Sequence, residues 1–145
     1  LVERMVSKSR ILADRTKIHQ IVSNLCTNAC HAMEQEGGVI TVSLRNVEIS
    51  EKKRVGKKDL PIGTYLQLEV SDTGHGMSPE TLQKAFEPYF TTKEAGAGTG
   101  LGLAIVKSLI EEHDGFLEVT SVPNKGTSFF IYFPVASLSR EVINF

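Results

Sequence analysis

Asp72-Thr-Gly-His-Gly76 and Gly98-Thr-Gly-Leu-Gly-Leu103 are two glycine-rich segments on either side of an aromatic block, Phe86-Glu-Pro-Tyr-Phe-Thr-Thr-Lys93. Upstream, Asn24 and Asn28 stand one helical turn apart in Asn24-Leu-Cys-Thr-Asn28-Ala. Glycine lets backbone approach a ligand closely and adopt positive φ. Free amides at a helix start hold phosphate. An asparagine carbonyl ligates Mg²⁺ without the charge of a carboxylate, which leaves the ion free to neutralise phosphate. One glycine run alone would mean little. Four ordered pieces with complementary chemistry point to a nucleotide site.

Asp72 continues the inward alternation of Leu66, Leu68 and Val70. A carboxylate arriving on a buried face needs a partner. The exocyclic amino group of adenine is one, and backbone amides are another. Gly74 and Gly76 would let the following turn lie against the base. Thr127 heads a row of Phe129, Ile131 and Phe133. Its hydroxyl can meet a base directly or through water, or can stabilise a turn; Gly126 before it would admit the ligand. Asn28 is the candidate Mg²⁺ ligand. Asn24 and His31, to either side of it, extend a polar stripe that suits metal, nucleotide or substrate, although solvated asparagines would look the same. The run Gly98, Thr99, Gly100, Leu101, Gly102 enters a helix whose first amides suit a polyphosphate. Residues 93–99 have the composition of a lid that orders over ATP, with Lys93 offsetting phosphate charge; a plain surface loop is the alternative. No Gly-x-x-x-x-Gly-Lys-Ser/Thr phosphate loop is present. Nor do these glycines keep the dinucleotide-binding spacing after a first strand.

The elements that must position these groups follow from periodicity. Residues 11–13 read as a short edge strand, and Asp14 as the N-cap of the next helix. From 16 to about 35, Ile18, Ile21, Val22, Leu25, Ala29, Ala32 and Met33 recur at helical spacing, and Gly37-Gly38 end that helix. Residues 39–49 read as a strand whose apolar phase shifts between Leu44 and Val47, as a bulge would produce. The polar, lysine-rich stretch 51–63 reads as a solvated hairpin loop. Residues 65–71 form the next strand. Ser78 caps a short helix with Pro79 at its first position. Residues 101–113 form a third helix, with Leu101, Ile105, Leu109 and Ile110 toward the core and Gly115 as its stop. Residues 116–122 and 127–133 pair across the hairpin Pro123-Asn-Lys-Gly126. This order predicts an α/β two-layer sandwich: a mixed, largely antiparallel sheet covered on one face by helices.

The 145 residues suffice for one domain with a real core. A net charge of −1 gives no bulk surface for nucleic acid or for an anionic membrane. No apolar run is long enough to span a bilayer, and no signal-peptide pattern is present. Leu1 in place of a methionine fits a piece of a longer protein. Cys26 and Cys30 lack the companions of a zinc site and read as small reduced hydrophobes.

In this order, the segments resemble the ATP-binding catalytic domain of bacterial sensor histidine kinases. That domain belongs to a superfamily shared with type II topoisomerases, mismatch-repair ATPases and heat-shock chaperone ATPases. The resemblance covers residues 14–134, with 1–13 as a truncated linker and 135–145 as a tail. The asparagine box is His19-Gln-Ile-Val-Ser-Asn-Leu-Cys-Thr-Asn-Ala-Cys-His-Ala-Met33. The glycine and phenylalanine boxes are the segments already quoted, and Gly126-Thr-Ser-Phe129 closes the pocket.

The resemblance implies the Bergerat ATP-binding fold. It puts Asp72 on the adenine amino group, Asn28 on Mg²⁺, Thr127 on the base through water, and Asn24 and His31 beside the phosphates. A lysine often stands at the His31 position. Gly74, Gly76, Lys93, Gly98, Thr99, Gly100, Leu101 and Gly102 complete the implied nucleotide set. Hydrolytic relatives usually place a glutamate four residues before the magnesium asparagine, as general base for water. Here that position is Asn24, which disfavours rapid ATP hydrolysis and fits delivery of the γ-phosphate to a histidine. None of His19, His31, His75 or His113 has the context of that acceptor, and residues 1–15 are too short for the helical hairpin that carries it. The implied partners are an upstream dimerisation domain with the acceptor histidine and the receiver domain of a response regulator. Nucleic acid and membrane contact are not implied for this domain. Its implied location is cytoplasmic, with anchoring of the parent protein left open. A regulatory nucleotide-binding module and a hydrolytic ATPase are the competing readings.

Overall fold

Two ten-residue strands, β2 (Ile40–Ile49) and β5 (Gly63–Asp72), pair along their whole length and form the middle of the main sheet. The computed structural model describes residues 2–5, 11–90 and 102–135. Within these residues the elements run β1 (Val2–Met5), α1 (Arg15–Ala32), β2, β3 (Lys53–Val55), β4 (Lys58–Leu60), β5, α2 (Pro79–Lys84), α3 (Gly102–Glu112), β6 (Phe116–Val122) and β7 (Gly126–Pro134). The main sheet has the order β1-β2-β5-β7-β6. Of its pairings, β1–β2 is parallel and the others are antiparallel. The expected mixed, largely antiparallel sheet is present.

Helices α1 and α3 pack on one face. Leu66, Leu68 and Val70 of β5 and Phe129, Ile131 and Phe133 of β7 meet Ile21 and Leu25 of α1 and Val106, Leu109 and Ile110 of α3 in one buried cluster. Burying a side chain of this size stabilises by about 1.5–3 kcal/mol. Asp14 caps α1, its Oδ1 accepting from the Thr16 and Lys17 amides at 2.9 and 3.4 Å. Ser78 caps α2 in the same way, accepting from the Thr81 amide at 3.2 Å.

Several expectations need correction. The edge strand is Val2–Met5, not 11–13, which has no regular structure. A parallel pair needs a long crossover, and α1 supplies the one between β1 and β2. Helix α1 ends at Ala32 rather than near Gln35, because the Met33 amide folds back onto the Cys30 carbonyl at 3.1 Å. Helix α3 begins at Gly102, and Val106 belongs to its buried face. Leu101, expected on that face, lies outside the described residues, as do the glycine- and threonine-rich stretch 91–100 and the tail from 136 onward.

The phase shift in β2 is not a bulge, since its register with β5 is unbroken from Ile40↔Asp72 to Ile49↔Gly63. The apolar side chains change face instead. Ile40, Val42 and Leu44 join the helix-side core, while Ile49 joins a second cluster on the opposite face. That cluster is built by the stretch read as solvated. Strands β3 and β4 form a two-stranded sheet that buries Val55 and Leu60 against Tyr65 and Tyr132. Tyr65 stands edge-on to Phe116 and Tyr132 and donates its hydroxyl to the Pro61 carbonyl at 2.8 Å. The helices therefore cover one face, and a small hairpin covers part of the other.

Leu60 is fully buried, whereas Lys57, on the same hairpin, is exposed. Leu60→Ala is expected to lower unfolding free energy by about 2–5 kcal/mol, and Lys57→Ala to stay within about 0.5 kcal/mol. Urea denaturation of both variants checks this; equal mild effects would mean the hairpin is not packed.

Candidate nucleotide site

The C-terminal turns of α1, the loop after β5, the start of α3 and the β6–β7 hairpin surround one cleft of ≈ 860 Å³. That volume falls within the range of small-molecule and cofactor sites. Of the residues expected to act, Asn24, Asn28, His31, Asp72, Gly74, Gly76, Gly102 and Thr127 line it. Lys93, Gly98, Thr99, Gly100 and Leu101 lie outside the described residues.

Strand β5 delivers Asp72 to the cleft floor. Its Oδ1 accepts from the Gly74 amide at 2.8 Å and the Thr127 amide at 3.3 Å. The sequence left open whether this carboxylate meets a base or backbone amides. One oxygen is committed to backbone; among the described residues, no hydrogen bond uses Oδ2. The carboxylate thus organises two loops and still offers an acceptor.

Close backbone crossings add a second reason for the glycines. A Cβ at Gly74 would stand 2.5 Å from the Ala32 carbonyl oxygen, at the end of α1. Gly76 has φ +65°, and a side chain there would collide with the Val122 carbonyl oxygen. At Gly126 the obstacle is the carbonyl oxygen of Asp72. These residues admit neighbouring backbone, and Gly74 and Gly76 also line the cleft. Two amide bonds hold the crossing: His75 donates to Ala32 at 3.0 Å, and Asn124 to His75 at 2.6 Å.

Thr127 is buried, with its Oγ1 2.8 Å from Ser121 Oγ. Ser121 also accepts from the Met77 amide at 2.8 Å and donates to the Gly126 carbonyl at 3.3 Å. Sequence reading missed Ser121. The signal was available, because closing the hairpin at residues 123–126 sets Ser121 directly opposite Thr127 and makes a cross-strand hydroxyl pair. Thr73 was also missed. It accepts from the Val39 amide at 3.0 Å and faces Met33 Sδ at 3.8 Å, fastening the segment after α1 to the cleft loop.

Helix α1 presents Asn24, Asn28 and His31 to the cleft, on a stripe beside the one that packs in the core. Among the described residues neither asparagine amide is hydrogen-bonded to the protein. His31 Nε2 lies 3.9 Å from Glu34. Among the described residues no three His, Cys, Asp or Glu side chains are grouped to hold a metal. A cation here would depend on an amide oxygen and on the phosphates of its ligand. Burial, then the neighbouring Cys30, pushes the Cys26 thiol up, away from thiolate chemistry. Gly102 opens α3 and lines the cleft, and apart from its chain neighbours and its own helix backbone no described atom lies within 4 Å of where its Cβ would stand.

Residues 13–137 match the family described as histidine kinase-, DNA gyrase B- and HSP90-like ATPases. The chain is 44% identical over 124 residues to the sensor kinase CckA of Brucella abortus, covering 86% of this chain and 13% of that protein. It is 41% identical over 132 residues to the sensor histidine kinase ZraS of Klebsiella oxytoca, covering 91% and 25%. The chain therefore spans a quarter or less of these relatives. Among solved structures it resembles the nucleotide-free catalytic domain of histidine kinase ThkA, with TM-score 0.68, 30% identity and coverage of 92% and 76%. Full-length ShkA in complex with AMPPNP gives TM-score 0.70 at 27% identity, over 94% of this chain and 25% of that one. With the glycine-crossed cleft and sheet order already described, the match over residues 13–137 establishes that the chain belongs to the histidine kinase-, DNA gyrase B- and HSP90-like ATPase family.

Proposed function

We propose that residues 14–134 form the ATP- and Mg²⁺-binding catalytic domain of a sensor histidine kinase. The observation that carries this reading is one cleft that gathers an uncommitted Asp72 oxygen, the Thr127 hydroxyl, the amides of Asn24 and Asn28 and an open helix start. Asp72 Oδ2 and Thr127 receive the amino edge of adenine. Asn28 supplies a neutral oxygen to the cation, and Asn24 and His31 orient phosphate. The amides at the start of α3 face the polyphosphate. Bound Mg²⁺ would neutralise charge on the phosphates. Lys93, Gly98, Thr99, Gly100 and Leu101 complete the proposed set on the segment outside the described residues.

Asn24 stands where a hydrolytic relative would carry a glutamate base, which disfavours rapid ATP hydrolysis. The acceptor is proposed to be a histidine on a partner dimerisation domain, with a response-regulator receiver domain as the next acceptor. Two of the four histidines bond to backbone. His113 is held at both nitrogens, Nδ1 donating to the Leu109 carbonyl at 2.7 Å and Nε2 accepting from the Asp14 amide at 3.1 Å. His75 donates Nδ1 to the Gly76 carbonyl at 2.7 Å. Among the described residues no helix is long and apolar enough to cross a membrane, and the proposed location of the domain is cytoplasmic.

Asp72→Asn keeps an oxygen for the two amides but turns the outer acceptor into a donor facing the adenine amino group. ATP affinity is expected to fall by about 1–3 kcal/mol, with loss of preference over GTP and little change in thermal unfolding. Calorimetric titrations measure this; equal ATP and GTP affinities in the unmodified chain would remove the assignment.

Asn28→Ala is expected to spare folding and magnesium-free nucleotide binding while abolishing most of the affinity that Mg²⁺ adds. Titration with and without Mg²⁺ checks it, and an unchanged magnesium effect would take Asn28 out of the ligand set.

With radiolabelled γ-phosphate, the chain alone is expected to carry no acid-labile label. Mixed with the dimerisation domain of its own parent protein, it should label that domain slowly, because the tether that raises effective concentration is missing. Acid-labile label on the chain itself would put the acceptor among its own histidines. Steady release of inorganic phosphate would favour the hydrolytic reading.

A further inference from the structure

Ser121 Oγ has one proton and two lone pairs, and three neighbours within hydrogen-bond distance. The Met77 amide can only donate to it, at 2.8 Å, and the Gly126 carbonyl can only accept from it, at 3.3 Å. The third neighbour, Thr127 Oγ1 at 2.8 Å, can do either. Only one arrangement makes all three bonds at once. Ser121 gives its proton to Gly126 and accepts from both Met77 and Thr127. The Thr127 proton then points at Ser121, and Oγ1 shows the cleft lone pairs only. Beside it, Asp72 Oδ1 holds the Thr127 amide, and Oδ2 is likewise an acceptor.

We propose that Ser121 is a specificity-determining positioning residue: it fixes the Thr127 hydroxyl as an acceptor, so that the cleft floor presents acceptors only and selects a 6-amino purine over a 6-oxo purine. The proposal rests on the adenine reading of Asp72 and extends it to a residue that does not line the cleft. A 6-amino group donates two N–H bonds, directly or through a water, to such a floor. A 6-oxo group brings a lone pair against it and leaves buried acceptors unmet. Were the Thr127 proton free to rotate, it would donate to the 6-oxo group and relieve much of that conflict. Ser121 removes the option. It also ties the choice to the loop geometry, since the same oxygen holds the Met77 amide.

The test uses the 145-residue chain with Mg²⁺ and two probes, ATP and inosine triphosphate, by calorimetry. The unmodified chain is expected to favour ATP. Ser121→Ala is expected to narrow the ATP-to-inosine-triphosphate affinity ratio about tenfold, whereas Ser121→Thr, which keeps the hydroxyl, preserves it. Thr127→Val is expected to narrow the ratio as well, and adding Ser121→Ala to Thr127→Val to change it no further. If Ser121→Ala weakens both nucleotides by the same factor, Ser121 is only a structural pin for Met77 and the proposal is overturned. An unchanged ratio in Thr127→Val overturns it too, even if Ser121→Ala fails to fold. Equal binding of both probes by the unmodified chain would instead bring down the adenine reading on which the proposal stands.

Discussion

A single carboxylate oxygen, Asp72 Oδ1, organises the cleft. It sits where the long β5 strand runs out, and it accepts from the next loop through Gly74 and from β7 through Thr127. A carboxylate at the end of an apolar row costs free energy unless it is bonded. Here the two amides supply that bonding, and so the carboxylate holds the loop against the hairpin. Around it the backbones cross closely. The carbonyl oxygens of Ala32, Val122 and Asp72 occupy the space of side chains at Gly74, Gly76 and Gly126. Three chain segments meet within a thickness that leaves no room for a Cβ.

The hairpin β3–β4 shows a second use of the sheet. Strand β5 buries Leu66, Leu68 and Val70 toward the helices and Tyr65 and Gln67 away from them. Gln67 is bonded at both ends, accepting from Arg45 Nε at 2.7 Å and donating to the Tyr132 hydroxyl at 3.1 Å. Among the described residues the sheet is packed on both faces at one end. The covered end lies at Tyr65, and the end carrying Asp72 borders the cleft.

Much of this was legible in the residues. The alternation in β5 and β7 set the sheet, and Asp14 and Ser78 marked helix starts where local chemistry decides them. The site was readable because polar types interrupt apolar rows at Asp72 and Thr127, and because asparagines are poor mid-helix residues. What stayed hidden was tertiary. Val2–Met5 becomes a strand only because β2 is beside it, parallel pairing being invisible to a local pattern. Val55 and Leu60 are lone apolar residues among lysines, and only the opposite sheet face gives them a core. The change of apolar phase in β2 looks the same for a bulge and for a change of covering layer. The glycines were correctly marked as places of close approach, but composition cannot say whether ligand or backbone does the approaching.

The division of the cleft between two layers explains why the crossing at Gly74 matters. In the proposed binding mode the base end belongs to the sheet, through Asp72 and Thr127, with Ser121 behind them. The proposed phosphate end belongs to the helices, through Asn24, Asn28 and His31 on α1 and the start of α3, and these two helices pack on each other and on the shared core. A nucleotide that reaches from one end to the other needs the two layers at a fixed spacing, since misplacement of about 1 Å can cost orders of magnitude in transfer. Apolar packing alone is a poor ruler, because side chains can slide and repack. The His75 amide bonded to the Ala32 carbonyl, with Gly74 flush against the same turn, is a direct backbone tie between the layers. On α1 it lies one turn beyond Asn28. On the cleft loop it follows closely on Thr73, which itself fastens the segment leaving α1. The distance between Asp72 and Thr127 at one end of the cleft and Asn24 and Asn28 at the other is therefore set by main-chain geometry, and the missing side chain at Gly74 is what lets that distance be short.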